Sequence, residues 1–226
     1  MVAHELRNPL APLKTASSLL SRAGSDAALL ARIQGIIQRQ VAHMSRLVDD
    51  LLDGSRVSAG KFRVEMDTVE MNSILRLCVE TCRPATQDKQ QHLDLRLPAG
   101  DLVLQGDHVR LLQIFTNLLE NASKYTQRGG SIALAVRVLE QRVTVVVSDN
   151  GVGITAAALP HIFDLFVQDK SALTAENRGL GIGLAVVRDL VAAHGGSVLA
   201  KSPGRGLGSE FVVTLPRPGA ARAEGG

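Results

Sequence analysis

Aromatic residues are scarce in this chain, with no Trp, one Tyr and five Phe among 226 residues. A surface that stacks nucleobases along a strand needs aromatics interleaved with basic residues, and no such run occurs, so nucleic-acid binding is discounted. Neither sign of charge dominates: Lys and Arg total 25 and Asp and Glu 22, a formal net charge of +3, so the pI near 9.1 reflects a small imbalance spread along the chain. Purely apolar runs are all far shorter than a bilayer span, and no stretch reads as a leader peptide. Cysteine is limited to Cys78 and Cys82, four residues apart in a helical pattern. That geometry disfavours a disulfide, and two thiolates alone make a poor zinc site. Packed, reduced thiols are expected, which suits a cytoplasmic setting.

What remains is 45% hydrophobic, enough to bury a core. In the first part, Val2, Leu6, Leu10, Leu13, Ser17 and Leu20 fall on one stripe of a helix, with His4, Asn8 and Thr15 near the opposite side. After the polar break at 22–26, Leu30, Ile37, Met44 and Leu51 repeat every seven residues, reinforced by Ile33, Val41 and Val48. Two such helices predict a hairpin, and two hairpins a symmetric dimeric four-helix bundle. Gly54 and Gly60 read as stop signals at a helix end and linker. Helices are then expected over 71–87, from an Asp107 cap to Tyr125, and over 184–193. Strands are expected over 92–97, 102–105, 131–139, 142–148, 197–202 and 209–215. The mixture predicts one sheet covered by helices, an α/β sandwich. The domains are then 1–60, a helical hairpin; 61–216, the sandwich; and 217–226, a Pro/Gly/Ala-rich linker or frayed tail.

Several stretches of the second part carry chemistry. In NLLENASKYT, residues 117–126, Asn117, Asn121 and Lys124 share a helix face. That face offers amide oxygens suited to Mg²⁺ and an ammonium suited to phosphate, although the same residues also suit a plain solvated face. In DNGVGI, Gly151 and Gly153 permit close backbone approach to a planar ligand, and Asp149 can accept a hydrogen bond from an exocyclic amine such as adenine's. A simple strand-end turn is the competing reading. In GLGIGLAVV, the glycines run into an apolar helix beginning at Leu184, a place suited to phosphates. No strand feeds those glycines directly, so a dinucleotide fingerprint fails, and no G-x-x-x-x-G-K-[ST] run exists. Between the last two stretches, Phe163 and Phe166 anchor a polar segment reaching Arg178, which reads as a lid over nucleotide or as an ordinary surface loop.

In this order, HELRNPL, NLLENASKYT, DNGVGI, IFDLF and GLGIGL resemble the H, N, G1, F and G2 boxes of bacterial two-component sensor histidine kinases. The resemblance covers residues 1–216 and looks closest to the transmitter cores of hybrid sensor kinases. It implies a histidine kinase/gyrase-type ATPase fold after the helical hairpin, with ATP and Mg²⁺ as cofactors. It also implies that His4 is the phospho-acceptor, with Glu5 as its general base or orienting group. Asn8 would position water when a partner is dephosphorylated. A response regulator receiver domain and a second copy of the chain are the implied partners. On the nucleotide side the resemblance implies Asn121 as the Mg²⁺ ligand with Asn117 in support, Lys124 and Arg178 toward phosphates, and Tyr125 against adenine. Asp149 would recognise adenine, Gly151 and Gly153 would shape its turn, and Phe166, Gly179, Gly181, Gly183 and Leu184 would complete the site. Related hydrolysing ATPases place a water-activating glutamate four residues before the metal-binding Asn. Here that position is Asn117, a poor base, so transfer is favoured over hydrolysis.

Only three residues precede His4, where the family's first helix runs further back, so the chain reads as a fragment of a longer kinase, with a short natural open reading frame as the alternative. The alternative function is a nucleotide-binding pseudokinase or scaffold that docks response regulators without phosphorylating itself. His43, His92, His108, His161 and His194 lack ligand spacing and are expected as surface or core residues.

Overall fold

The computed structural model describes residues 9–21, 24, 26–58, 63–167 and 180–217. It divides the chain into two compact units, Met1–Arg56 and Val57–Gly226. Among the described residues, no helix is long and apolar enough to cross a membrane.

The first unit is built on α1 (Leu10–Leu20) and α2 (Ala27–Ser58). Asp26 opens α2 by accepting from the Leu29 N–H at 3.0 Å. The residues that join the helices are Ala16 and Ile33, fully buried, with Leu19, Leu29, Ile36 and Ile37 packed around them. Within one chain, part of the expected stripe is left open. Leu10 and Leu20 remain 48% and 51% exposed, and Val41 and Val48 are similarly open. Within one chain the contact runs through Ala16, because a small residue lets the two helices approach closely. Gly54 does not stop α2, which continues through it to Ser58. One interior glycine costs about 1 kcal/mol relative to alanine, which a 32-residue helix absorbs.

The second unit contains α3 (Met71–Asp88), α4 (His108–Tyr125) and α5 (Gly183–Ala193). Its strands are β1 (Asp67–Glu70), β2 (His92–Arg96), β3 (Val103–Gly106), β4 (Ser131–Val138), β5 (Arg142–Asp149), β6 (Ser197–Lys201) and β7 (Ser209–Pro216). The expectation of one sheet is corrected to two. β2, β4, β5, β7 and β6 form a five-stranded sheet in that order, with β2 and β4 parallel and the rest antiparallel. β1 pairs only with β3, as a separate antiparallel ribbon.

Alternation explains the main sheet. Ile132 and Leu134, then Val143, Val145 and Val147, then Phe211, Val213 and Leu215, are buried on one face. Against them lie the apolar faces of the helices: Ile74, Leu75 and Cys78 of α3, Ile114, Phe115 and Leu118 of α4, and Val187 and Leu190 of α5. Glu70 caps α3, its carboxylate accepting from Asn72 N–H, Ser73 N–H and Leu102 N–H. Burial alone would raise its pKa, but the Ser73 hydroxyl and these backbone donors outweigh burial and hold it below the ordinary carboxylate value. Asp107 caps α4 through Arg110 N–H and also accepts from Glu65 N–H. His194, 3% exposed, accepts from Asp107 N–H at Nε2 (3.0 Å) and so donates through Nδ1 to the Leu190 carbonyl (2.7 Å). It is a core residue with both ring nitrogens engaged.

Both thiols are buried and unbridged. Burial pushes Cys78 up to about 11, and burial with the Glu120 and Cys78 charges pushes Cys82 up to about 12. The thiolate is the species that alkylates, so iodoacetamide at pH 8 will leave both cysteines unmodified in the folded chain and modify both in denaturant. Intact-mass measurement before and after unfolding checks this.

Candidate functional site

One cavity of about 690 Å³, its open mouth included, is set between α4, the end of β5, the start of α5 and the start of β7. Its walls are mostly apolar: Ala122, Ile154, Ala158, Ile162, Val167, Leu184 and Phe211. Among the described residues, the polar groups in its lining are Asn121, Tyr125, Asp149 and Ser209, with Asp149 the one carboxylate.

Asp149 is placed by its strand and by its neighbours. Register sets it opposite Ser209 across β5 and β7. The Ser209 hydroxyl donates to Oδ2 at 2.5 Å, and Gly151 N–H donates to Oδ1 at 2.8 Å. With each oxygen already oriented by one donor, the carboxylate is held in a fixed pose and retains lone pairs for a further donor.

The turn after Asp149 is fixed from both sides. Val152 N–H donates to the Tyr125 carbonyl at 3.1 Å, which ties the turn to the end of α4. Gly206 N–H donates to the Val152 carbonyl and Gly208 N–H to the Gly151 carbonyl, which tie it to the loop before β7. Glycine is required here for steric reasons. A Cβ at Gly151 would strike the Tyr125 carbonyl, and one at Gly153, where φ is +67°, would strike the Gly204 carbonyl.

On α4, Asn121 and Tyr125 line the cavity. Asn117, one turn earlier, sits beside the start of α5, its amide 3.9 Å from where a Gly183 Cβ would lie. The Lys124 ammonium lies 4.9 Å from the centre of the Tyr125 ring, a cation–π contact, and Lys124 is outside the lining. Gly153 and Leu184 line the cavity, whereas Gly151, Gly181 and Gly183 shape its surroundings. Gly181 has φ +71°, and its carbonyl accepts from Phe166 N–H at 2.9 Å, joining the chain on either side of 168–179.

The two phenylalanines behave differently from the expected pair of anchors. Phe163 packs edge-on against Phe211 with ring centres 6.4 Å apart, but Phe166 is 45% exposed at a φ of +65°. Val167, not Phe166, reaches the cavity. His4, Glu5, Asn8, Arg178 and Gly179, together with the part of the expected lid from 168 to 178, lie outside the described residues.

Sequence reasoning missed Ser209, Phe211, Ile154, Ile162 and Val167. The pairing of β5 with β7 brings Ser209 to Asp149 across 60 residues of sequence. Its one local signal was its position as the first residue of a strand after a glycine-rich loop.

Comparison with known proteins supplies the family. Residues 1–60 match the His Kinase A (phospho-acceptor) domain, and residues 106–219 match the family described as histidine kinase-, DNA gyrase B- and HSP90-like ATPase. The sensor histidine kinase AtsR of Burkholderia thailandensis is 36% identical over 230 residues, covering 99% of this chain and 38% of that protein. The probable sensor histidine kinase TcrY of Mycobacterium tuberculosis is 34% identical over 218 residues, covering 96% of this chain and 45% of that protein. The chain thus spans less than half the length of these relatives. The crystal structure of full-length ShkA in complex with AMPPNP aligns with a TM-score of 0.70 at 29% identity, over 97% of this chain and 45% of that one. This chain therefore belongs to the sensor histidine kinases and is a transmitter core of that family, a phospho-acceptor domain followed by a histidine kinase-type ATPase domain.

Proposed function

We propose that this chain transfers the γ-phosphoryl group of ATP to His4 and then passes it to an aspartate of a response regulator receiver domain, from which it also catalyses dephosphorylation. The observation that carries the nucleotide half is the oriented Asp149 carboxylate in an otherwise apolar cavity. Apolar walls accept the faces of a purine, and a fixed acceptor among them selects a ring that bears an amine. The AMPPNP bound to ShkA supports the same reading.

The donor set also fits Mg²⁺. Among the described residues, no group of three or more His, Cys, Asp or Glu could hold a metal ion. Asn121, a neutral oxygen donor at the cavity, would help hold the ion together with phosphate oxygens and water. When bound, Mg²⁺ neutralises charge at the phosphates. Lys124 and Arg178 act on the same charge, and Asn117 supports Asn121. Tyr125 and Leu184 pack on the base. Gly151, Gly153, Phe166, Gly179, Gly181 and Gly183 shape the backbone around the nucleotide.

In the transfer itself, a neutral imidazole nitrogen of His4 forms the new N–P bond as the bond to the ADP oxygen breaks. Glu5 takes the imidazole proton or orients the ring, and Asn8 positions the water that, in a separate hydrolysis, attacks the regulator's aspartyl phosphate and releases inorganic phosphate. Residues 1–60 act as the acceptor hairpin, 61–216 as the catalytic domain and 217–226 as a linker, in the cytoplasm. The hairpin pairs with a second copy. Leu10, Leu20, Val41 and Val48, left open within one chain, support that pairing.

Incubation with γ-labelled ATP and Mg²⁺ tests the reading. The expected outcome is label on the chain that is lost in acid and kept in base, as for a phosphoramidate. Rapid multiple-turnover phosphate release with no labelled chain overturns it.

A further inference from the structure

The end of α4 is capped in an unusual way. The last four carbonyls of a helix lack intrahelical partners, and a glycine in the left-handed region commonly closes the end. Here the C-cap is Thr126, in extended conformation at φ −88° and ψ 136°. The partners come from the turn between α3 and β2 instead. The Lys89 ammonium donates to the carbonyls of Ser123 (2.7 Å) and Lys124 (3.1 Å). The Gln91 amide donates to the carbonyls of Ser123 (2.9 Å) and Thr126 (2.7 Å), and its oxygen accepts from the Ser123 hydroxyl at 2.7 Å. Backbone bonds close the same joint, with Gly129 N–H donating to the Lys89 carbonyl at 3.0 Å and His92 N–H to the Gly130 carbonyl at 2.8 Å.

The one carbonyl of this stretch that Lys89 and Gln91 leave alone is that of Tyr125, and it accepts from Val152 in the turn after Asp149. The end of α4 is thus gripped from two directions. One grip is the Lys89–Gln91 turn, and the other is the turn that carries the adenine-side carboxylate. Asn121 and Tyr125 project into the cavity from the helix so held. A positive charge at a helix C-terminus is also favourable in itself.

We propose that Lys89 and Gln91 are positioning residues for nucleotide binding, fixing Asn121 and Tyr125 relative to Asp149. This rests on the kinase reading above. A displacement of well under 1 Å at such a joint is enough to weaken a ligand held between two elements.

The test uses the full chain and three variants, Lys89→Met, Lys89→Arg and Gln91→Leu, with ATP affinity and Tm measured for each. Lys89→Met and Gln91→Leu will weaken ATP by about 5- to 10-fold, the size of one net hydrogen bond's worth of binding free energy. Lys89→Arg, which keeps the charge and the donors, will restore most of the affinity. A cap that serves stability alone would instead lower Tm while ATP affinity stayed within about twofold of the parent, and that result overturns the proposal. Should Gln91→Leu not fold, the Lys89 pair decides by the same criterion. A parent chain that binds no ATP overturns the kinase reading and this proposal with it, whereas a parent that binds ATP as well as Lys89→Met does overturns this proposal alone.

Discussion

Replacing Asp149 with asparagine will weaken ATP binding by about 10- to 150-fold while leaving the fold intact. The two halves of that expectation come from the same pair of contacts. In the parent, Oδ1 accepts from Gly151 N–H and Oδ2 from the Ser209 hydroxyl. An asparagine can keep both, with its oxygen toward Gly151 and its amide nitrogen donating to Ser209, whose hydroxyl accepts as well as donates. Tm should therefore move by no more than a few degrees. The nitrogen, however, now stands on the Ser209 side, where both residues line the cavity. It presents a donor to an incoming amine that also donates. A hydrogen bond to a charged group is worth about 1.5–3 kcal/mol, and each 1.4 kcal/mol is tenfold in Kd. Isothermal titration with a non-hydrolysable ATP analogue measures the loss, with circular dichroism as the check on folding. GTP, which carries a carbonyl acceptor where adenine carries its amine, should compete poorly against ATP for the parent chain. An affinity within threefold of the parent for the asparagine variant would remove Asp149 from base recognition.

How far this site was legible in the sequence depends on whether a residue's neighbour lies close along the chain. Asp149, Gly151 and Gly153 were legible because a turn after an apolar strand is a local event. The positive φ of Gly153 and the crowding at Gly151 explain why glycine stands at both. The helix bearing Asn121 and Tyr125 was legible from its Asp107 cap and its apolar face. Ser209 was not, since it reaches Asp149 only because β7 inserts between β5 and β6. That strand order is set by the packing of whole elements. The ribbon of β1 with β3 escaped for a related reason: Asp67-Thr68-Val69-Glu70 has one buried residue, too little alternation to announce a strand. Lys89 and Gln91 look like ordinary surface residues in the run DKQQH. Their partners lie 32 to 35 residues away, at the carbonyls of a helix end. Phe163 and Phe166 were indistinguishable by composition, yet Phe163 packs on Phe211 whereas Phe166, in left-handed backbone, stays exposed.

His4→Gln will take up no label above background from γ-labelled ATP, and its affinity for ATP will equal that of the parent. The contrast follows from the division of labour between the two units. In the proposed site the nucleotide is held by groups between Asn121 and Phe211, all in the second unit, so a change at residue 4 is expected to leave its affinity unaltered. Phosphoryl transfer needs a lone pair on a nitrogen that remains neutral near pH 7, which imidazole offers. A glutamine amide has its nitrogen lone pair delocalised into the carbonyl and offers none. Glu5→Gln separates the neighbouring role. An amide at residue 5 can still orient the ring by hydrogen bonding but cannot take its proton, so labelling should slow by about 10²–10⁴-fold if Glu5 is the base, and far less if it only orients. Single-turnover labelling followed by peptide mapping reads all three chains in one experiment. Acid-labile label that persists in His4→Gln would move the acceptor to another histidine. His194 is the least suited of the others, because both of its nitrogens are engaged inside the core of the catalytic unit. His92, His108 and His161 belong to that same unit, so a label on any of them would replace transfer between the two units with transfer within one.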